Sequence, residues 1–175
     1  MKLKTHNLFS AGILTAIGII FTSPVNAVIS ASVMSILGNT IIDSFGHRIN
    51  RKGIPVRTYK THSLLRSIIY GFMPALMIFA AAKWLYQSGI GQIPSNLYWI
   101  LIQGLFVGPL HLCMDVITEG GIFIKKNGRF QRFAVAHLAY NNPVWNLFFQ
   151  IAGVAVIALI FYKTGNIARF SRWAD

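Results

Sequence analysis

The chain has 175 residues, enough for one domain, and 54% of them are hydrophobic. Only 11% are charged, against about 25% in a typical soluble domain, which argues against a soluble globular protein and favours several membrane spans. The net charge of +12 reflects a shortage of acids rather than an excess of bases. The bases lie between apolar segments, as in membrane proteins, which argues against a nucleic-acid-binding patch. The single cysteine, Cys113, rules out an internal disulfide and is predicted to be buried.

The first two of five predicted helices, residues 7–22 and 25–42, form a hairpin with a tight turn at Pro24. Each is short for a full membrane span, which needs about 20 apolar residues. An alternative interpretation makes residues 1–27 a signal peptide that is cleaved after Ala27. We favour the uncleaved hairpin, although the sequence leaves both interpretations open.

The remaining helices are predicted at residues 64–86, 97–118 and 144–162. Two polar, basic loops separate the apolar segments, at residues 43–63 and 119–143. In the second loop, residues 129–138 are amphipathic and are expected to lie on the membrane surface. The predicted fold class is therefore all-α, a polytopic membrane helical bundle of four or five hydrophobic helices in which residues 1–175 form a single integral membrane domain.

The distribution of the sixteen basic residues predicts the orientation of this bundle. With the N-terminus inside, both basic loops fall on the cytoplasmic side together with Lys2 and Lys4. Three bases of the tail, Lys163, Arg169 and Arg172, would lie outside and fit less well. We therefore expect a multi-pass protein of the cell membrane whose N-terminus faces the cytoplasm.

The acids and histidines collect on the same predicted side. His111 and Asp115 are four residues apart near the inner end of the fourth helix, so their side chains share one helix face. His6 begins the first helix and Asp43 ends the second, and at about 1.5 Å per residue both lie at nearly the same depth. His62 immediately precedes the third helix. The topology therefore brings five residues together from four helix ends: His6, Asp43, His62, His111 and Asp115.

Three histidines and two aspartates suit a borderline divalent metal ion such as Zn²⁺, Mn²⁺ or Fe²⁺. An open coordination position would activate a water for hydrolysis. Arg57 and Lys60, next to the predicted site, suit a phosphate-bearing substrate, and a site at the membrane face suits a lipid head group. A structural role instead of metal binding remains open, because histidine–aspartate pairs of this kind can equally form buried hydrogen bonds between helices. His47 and His137 are weaker candidates for metal contact.

Several motifs together resemble a known family: Lys4-Thr5-His6-Asn7, Asp43 with His47, Thr61-His62-Ser63, His111 with Asp115, and Tyr140-Asn141-Asn142-Pro143. Over residues 4–150 the chain resembles the YdjM-like family of predicted membrane-bound metal-dependent hydrolases, and more closely an uncharacterised branch found in archaea and their viruses. That family is distantly similar to zinc-dependent phospholipase C and P1-type nucleases, which are all-α and bind clusters of zinc ions.

The resemblance implies one metal site formed by Asp43, His62, His111 and Asp115, and a second in which His6 shares Asp115. No residues match a third zinc site. The expected function is metal-dependent hydrolysis of a phosphoester or phospholipid, with one or two zinc ions as cofactor, membrane lipid as partner and no specific nucleic acid. The alternative is a non-enzymatic structural membrane or virion protein with a structural His/Asp cluster. An enzyme needs an open metal position that faces a cavity, whereas a structural site is closed.

Overall fold

The computed structural model describes residues 1–49, 51, 53, 55–90 and 97–165. These residues form mainly α-helix, as predicted, in five helices: α1 (Leu3–Gly18), α2 (Pro24–Gly46), α3 (Leu64–Gln87), α4 (Tyr98–Asp115) and α5 (Pro143–Lys163). Helix α1 begins at Leu3 rather than at residue 7, so that His6 lies within its first turn. Arg169 and Arg172 of the basic tail lie outside the described residues.

Both basic loops contain a short antiparallel hairpin that the sequence analysis did not predict. The first pairs β1 (His47–Ile49) with β2 (Pro55–Arg57), and the second pairs β3 (Ile122–Lys126) with β4 (Arg129–Phe133). The second hairpin turns at Asn127 and Gly128, which both have positive φ, as the Asn-Gly hairpin turn requires. Part of the segment expected to lie on the membrane as an amphipathic stretch is therefore a β-strand.

Within the described part of the chain, three helices are long and apolar enough to cross a membrane, namely α2, α3 and α5. Helix α1 has 16 residues and rises only about 24 Å, which is less than the roughly 30 Å hydrocarbon thickness of a bilayer. Helix α4 has 18 residues and includes polar side chains, among them Gln103 and His111. Both helices contact each other and pack between the longer helices. The two shorter, more polar helices thus occupy the interior of the bundle.

Close packing between helices depends on glycine pairs. A Cβ at Gly12 of α1 would collide with the backbone of Gly153 in α5, and one at Gly71 of α3 would collide with the backbone of Gly108 in α4. Small residues that let helix backbones approach in this way are typical of membrane helix interfaces. Cys113, predicted to be buried, is instead exposed on α4, because the interior face of that turn is taken by its sequence neighbours.

The polar end of the bundle brings together three helix starts, two helix ends and both hairpins. Thr5 of α1 donates a hydrogen bond to Asn146 of α5 at 2.7 Å, which joins the starts of these two helices. The backbone N–H of Phe123 in β3 donates to the carbonyl oxygen of His62 at 2.7 Å, so the second hairpin lies over the start of α3. This end of the bundle carries the candidate site.

Candidate metal centre

The structure brings all five predicted metal ligands into one cluster. His6 comes from the first turn of α1 and Asp43 from the last turn of α2, while His111 and Asp115 occupy the last two turns of α4. His62 is in the loop just before α3. Four of these side chains are fully buried, and only that of Asp43 retains exposure, at 23%.

Four donor atoms form the centre of the cluster: Asp43 Oδ1, His62 Nε2, His111 Nε2 and Asp115 Oδ2. His62 Nε2 lies 3.6 Å from the Asp43 oxygen and 3.4 Å from the Asp115 oxygen. His111 Nε2 lies 3.4 Å and 3.2 Å from the same two oxygens. Ligands that sit about 2.0–2.1 Å from a tetrahedral zinc ion are about 3.3–3.4 Å apart. These four distances fit four of the six edges of a tetrahedral metal site.

A hydrogen bond on the far side of His62 determines which ring nitrogen faces the centre. The hydroxyl of Thr61 donates to the carbonyl oxygen of Ile42 at 2.8 Å, so its oxygen accepts the Nδ1–H of His62 at 3.0 Å. Nε2 then carries a lone pair. Burial lowers the pKa of His62, which keeps this imidazole in the neutral form that a metal ion binds.

Asn39 orients His111 in the same way. Its amide nitrogen donates to Asn7 Oδ1 and to Ser35 Oγ, both at 3.2 Å. Its amide oxygen is therefore the acceptor for the Nδ1–H of His111, at 3.0 Å. Metal-bound histidines usually donate their second ring N–H to such a group, and this tautomer again leaves the Nε2 lone pair facing the carboxylates.

Three of the four central atoms have no hydrogen-bond partner among the described residues: His62 Nε2, His111 Nε2 and Asp115 Oδ2. Nitrogen lone pairs that face carboxylate oxygens at 3.2–3.6 Å repel one another unless a proton or a metal ion lies between them, and buried polar atoms without a partner are costly. A divalent ion among the four donors would satisfy all of these atoms. The donor set and its spacing therefore fit a metal ion.

His6 and His47 extend the cluster on opposite sides. His6 Nε2 lies 3.2 Å from Asp115 Oδ1, and its ring stacks on that of His111 with centroids 4.1 Å apart. His47 Nδ1 donates to the backbone carbonyl of Asp43 at 2.8 Å, which leaves its Nε2 as the nitrogen that can bind a metal. Two adjoining groups can each hold an ion: His6, His111 and Asp115, and Asp43, His47 and His62.

His47 was a weaker candidate in the sequence, although its spacing of four residues from Asp43 was the available signal. His137 belongs to neither group and is exposed.

Asn39 and Asn146 were missed as positioning residues. Asn146 accepts hydrogen bonds from the backbone N–H of Lys2 and the hydroxyl of Thr5, which anchors the turn that carries His6. The signal for both asparagines was a polar residue inside an otherwise apolar helix.

Arg57, predicted to contact a phosphate, is bonded to the cluster itself. Its NH2 donates to Asp115 Oδ1 at 2.6 Å and its NH1 to the hydroxyl of Thr118 at 2.8 Å. Its side chain is only 11% exposed. Arg57 therefore neutralises one oxygen of a buried carboxylate and ties the first hairpin to the end of α4.

A cavity of about 310 Å³ lies against the exposed side of the cluster. His47 and Arg57 line it and also contact the two ligating aspartates. Lys60, the second residue predicted to contact a phosphate, is on its wall. His47 and Arg57 thus connect this cavity to Asp43 and Asp115 of the cluster.

Comparison with known proteins yields one family. A family model described as "Protein of unknown function (DUF1286)" matches residues 1–114. The matched region includes His6, Asp43, His62 and His111 and ends one residue before Asp115. Searches of curated proteins and of solved structures found no match.

Proposed function

The chain belongs to the DUF1286 family of unknown function, and we propose that it is a membrane-bound, metal-dependent hydrolase of a phosphoester. One observation carries the proposal. Four donor atoms from the ends of α2 and α4 and from the loop before α3, three of them on fully buried side chains, lie at distances that fit a tetrahedral metal site, and a cavity with basic lining residues adjoins them through His47 and Arg57.

Asp43, His62, His111 and Asp115 would hold one ion, and zinc is the ion whose preferred geometry and ligand types match them. A second ion would use His6 with the shared Asp115, or His47 with the shared Asp43. When bound, such an ion acidifies a water ligand and supplies a nucleophile near neutral pH. Among the residues that line the cavity, His47 has an Nε2 that could accept a proton or bind the second ion.

A phospholipid is the phosphoester that suits this location. The cavity lies at the end of α2 and in the loop that leads to α3, two of the candidate membrane spans, and would therefore be at the boundary between lipid and water. Among the described bases, only Lys83 and Lys163 belong to the opposite end of the bundle. This asymmetry supports a multi-pass protein of the cell membrane with its N-terminus and metal centre on the cytoplasmic side. The resemblance to the YdjM-like family is in keeping with this function.

The ligand count favours one competing function. If all four central residues bind one ion, the site is closed, as in structural zinc sites that leave no position for water. The protein would then be a non-enzymatic structural membrane or virion protein. The cavity beside Asp43 and His47 is the feature that this alternative does not explain.

The test is metal content, followed by activity. The full-length protein in detergent is compared with Asp115→Asn and His62→Ala by elemental mass spectrometry, with His137→Ala as the control histidine outside the cluster. We expect a stoichiometric divalent ion that is lost in the first two variants and kept in the control. The metal-loaded protein should then hydrolyse a phosphodiester or phospholipid. Metal without hydrolysis supports the structural alternative, and a folded wild type without metal contradicts the hydrolase function and leaves the structural protein.

A further inference from the structure

The cavity beside the candidate metal centre is lined by two kinds of side chain. Arg48 and Lys60 are cationic, and Phe45, Tyr59 and Phe123 are aromatic. Arg57 also lines the cavity, but its guanidinium is taken up by Asp115 and Thr118. The two exposed cations therefore carry the charge that a ligand would meet.

Arg48 and Lys60 have no acidic partner in the part of the chain that the structure describes. The carboxylates of Asp43 and Asp115 are already surrounded by histidines or by Arg57. Two exposed cations that line one cavity without an acidic partner among the described residues attract an anion that can accept hydrogen bonds from both. A phosphate group has that chemistry.

The aromatic lining residues connect the cavity to α2, α3 and the second hairpin. Phe45 lies in the last turn of α2, is 61% exposed, and packs with its ring 5.8 Å from that of Tyr70 in α3. Tyr59 is held in place because its ring stacks on Phe130 of the second hairpin with centroids 4.7 Å apart, and Arg66 lies over it. The cavity thus has a supported aromatic side that leads to the surfaces of two candidate membrane spans.

We propose that this cavity is a binding site for a phosphorylated lipid, with Arg48 and Lys60 on the phosphate and Phe45 against the start of the acyl chain. Its volume of about 310 Å³ is at the lower end of the range for ligand sites, so it takes the head group and the adjoining part of the chain. The role of this lipid as a substrate rests on the proposed function, since a ligand in the cavity lies beside Asp43 and His47. Binding itself needs no metal.

The test is a binding measurement in an uncharged detergent with EDTA present. Isothermal titration calorimetry compares three probes, namely dihexanoyl phosphatidic acid, inorganic phosphate and dihexanoyl glycerol. We expect phosphatidic acid to bind, phosphate to bind more weakly, and the uncharged lipid not to bind. The double variant Arg48→Gln with Lys60→Gln should weaken phosphatidic acid binding about tenfold or more, because it removes two charge-assisted contacts. Phe45→Ser should weaken binding of the lipid and leave that of phosphate unchanged.

Two controls keep the result specific. The double variant Lys125→Gln with Lys126→Gln removes the same charge from β3, outside the cavity, and should bind as the wild type does. Lys60→Arg should retain binding, and thermal unfolding checks that each variant is folded. Equal affinity of the Arg48/Lys60 variant and the wild type overturns the proposal, as does phosphate that binds as tightly as phosphatidic acid.

Activity separates this inference from the proposed function. If phosphatidic acid binding depends on Arg48 and Lys60 but the metal-loaded protein hydrolyses no phosphoester, the lipid site stands and the hydrolase function fails. If the protein hydrolyses phospholipid and the Arg48/Lys60 variant has an unchanged KM, the hydrolase function stands and the lipid site is overturned.

Discussion

At the scale of single residues, the two oxygens of Asp115 have different surroundings. Oδ1 accepts a hydrogen bond from Arg57 at 2.6 Å and lies 3.2 Å from His6. Oδ2 faces the ring nitrogens of His62 and His111 and has no donor among the described residues. The guanidinium thus offsets the cost of burying the charge, while the second oxygen stays available for an ion.

Thr61 and Asn39 contribute to the same centre without lying in it. Each accepts the Nδ1–H of a histidine and so presents the other ring nitrogen to the carboxylates. Hydrogen bonds of this kind orient a ligand and raise its basicity, and their loss typically costs ten- to a hundredfold in metal affinity. The affinity of the site is therefore expected to depend on residues with no atom near the ion.

Thr61→Val tests this dependence, because valine keeps the shape and removes the acceptor for His62. We expect zinc affinity to fall about tenfold or more, measured by competition with a chromophoric chelator. Thr58→Val is the matched control, since the Thr58 hydroxyl also donates to a backbone carbonyl but touches no histidine. An equal loss in both variants, or no loss in Thr61→Val, would contradict the assigned tautomer.

At the scale of elements, the site depends on the position of α1. This helix contributes His6 and is held between α2, α4 and α5. Its contact with α5 is a backbone-to-backbone approach at Gly12 and Gly153. Any side chain at either position would push the two helices apart.

Gly12→Ala is expected to destabilise the protein by about 1–3 kcal/mol, because the new methyl group overpacks the contact. Helix propensity alone predicts the opposite sign, since alanine is better than glycine by about 1 kcal/mol in a helix. Val154→Ala, at an exposed position of α5, should change stability little. Denaturant unfolding in one detergent provides the comparison, and a Gly12→Ala variant as stable as wild type would show that the helices are not in tight contact.

At the scale of the whole molecule, the charge asymmetry predicts how the bundle lies in the membrane. The polar end carries both hairpins and nearly all of the described bases: Lys2, Lys4, Arg48, Arg51, Arg57, Lys60, Arg66, Lys125, Lys126, Arg129 and Arg132. Loops rich in lysine and arginine remain on the cytoplasmic side of membrane proteins. The metal centre and the proposed lipid site would then face the cytoplasmic leaflet.

Cysteine labelling tests this orientation in a Cys113→Ser background, which removes the single exposed thiol. Ser88→Cys, after the end of α3, should react in intact cells with a maleimide that cannot cross the membrane. Lys126→Cys, in the second hairpin, should react only after the membrane is permeabilised. The reverse pattern would invert the proposed orientation, and reaction of both variants in intact cells would contradict a spanning arrangement.

The sequence by itself determined the helical class and which side of the bundle carries the histidines and acids. Both follow from local quantities, because the length of an apolar run sets a helix and the rise per residue sets the depth of each polar residue. It also contained the five ligand candidates, since ionisable residues stand out in an apolar chain.

Only the tertiary structure decided the hydrogen-bond partners. Arg57 and Asp115 are 58 residues apart in the chain, and Asn39 and His111 are 72 apart. No local sequence pattern indicates such a contact. Arg57 was therefore predicted to contact a substrate phosphate, and Asn39 was missed. The hairpins in the basic loops have strands of three to five residues and little apolar alternation. Cys113 was misplaced because it was treated as one more buried apolar residue, although His111 and Asp115 mark the inner face of that turn. Side-chain direction and long-range contact are set by packing between helices, and packing exists only once the chain has folded.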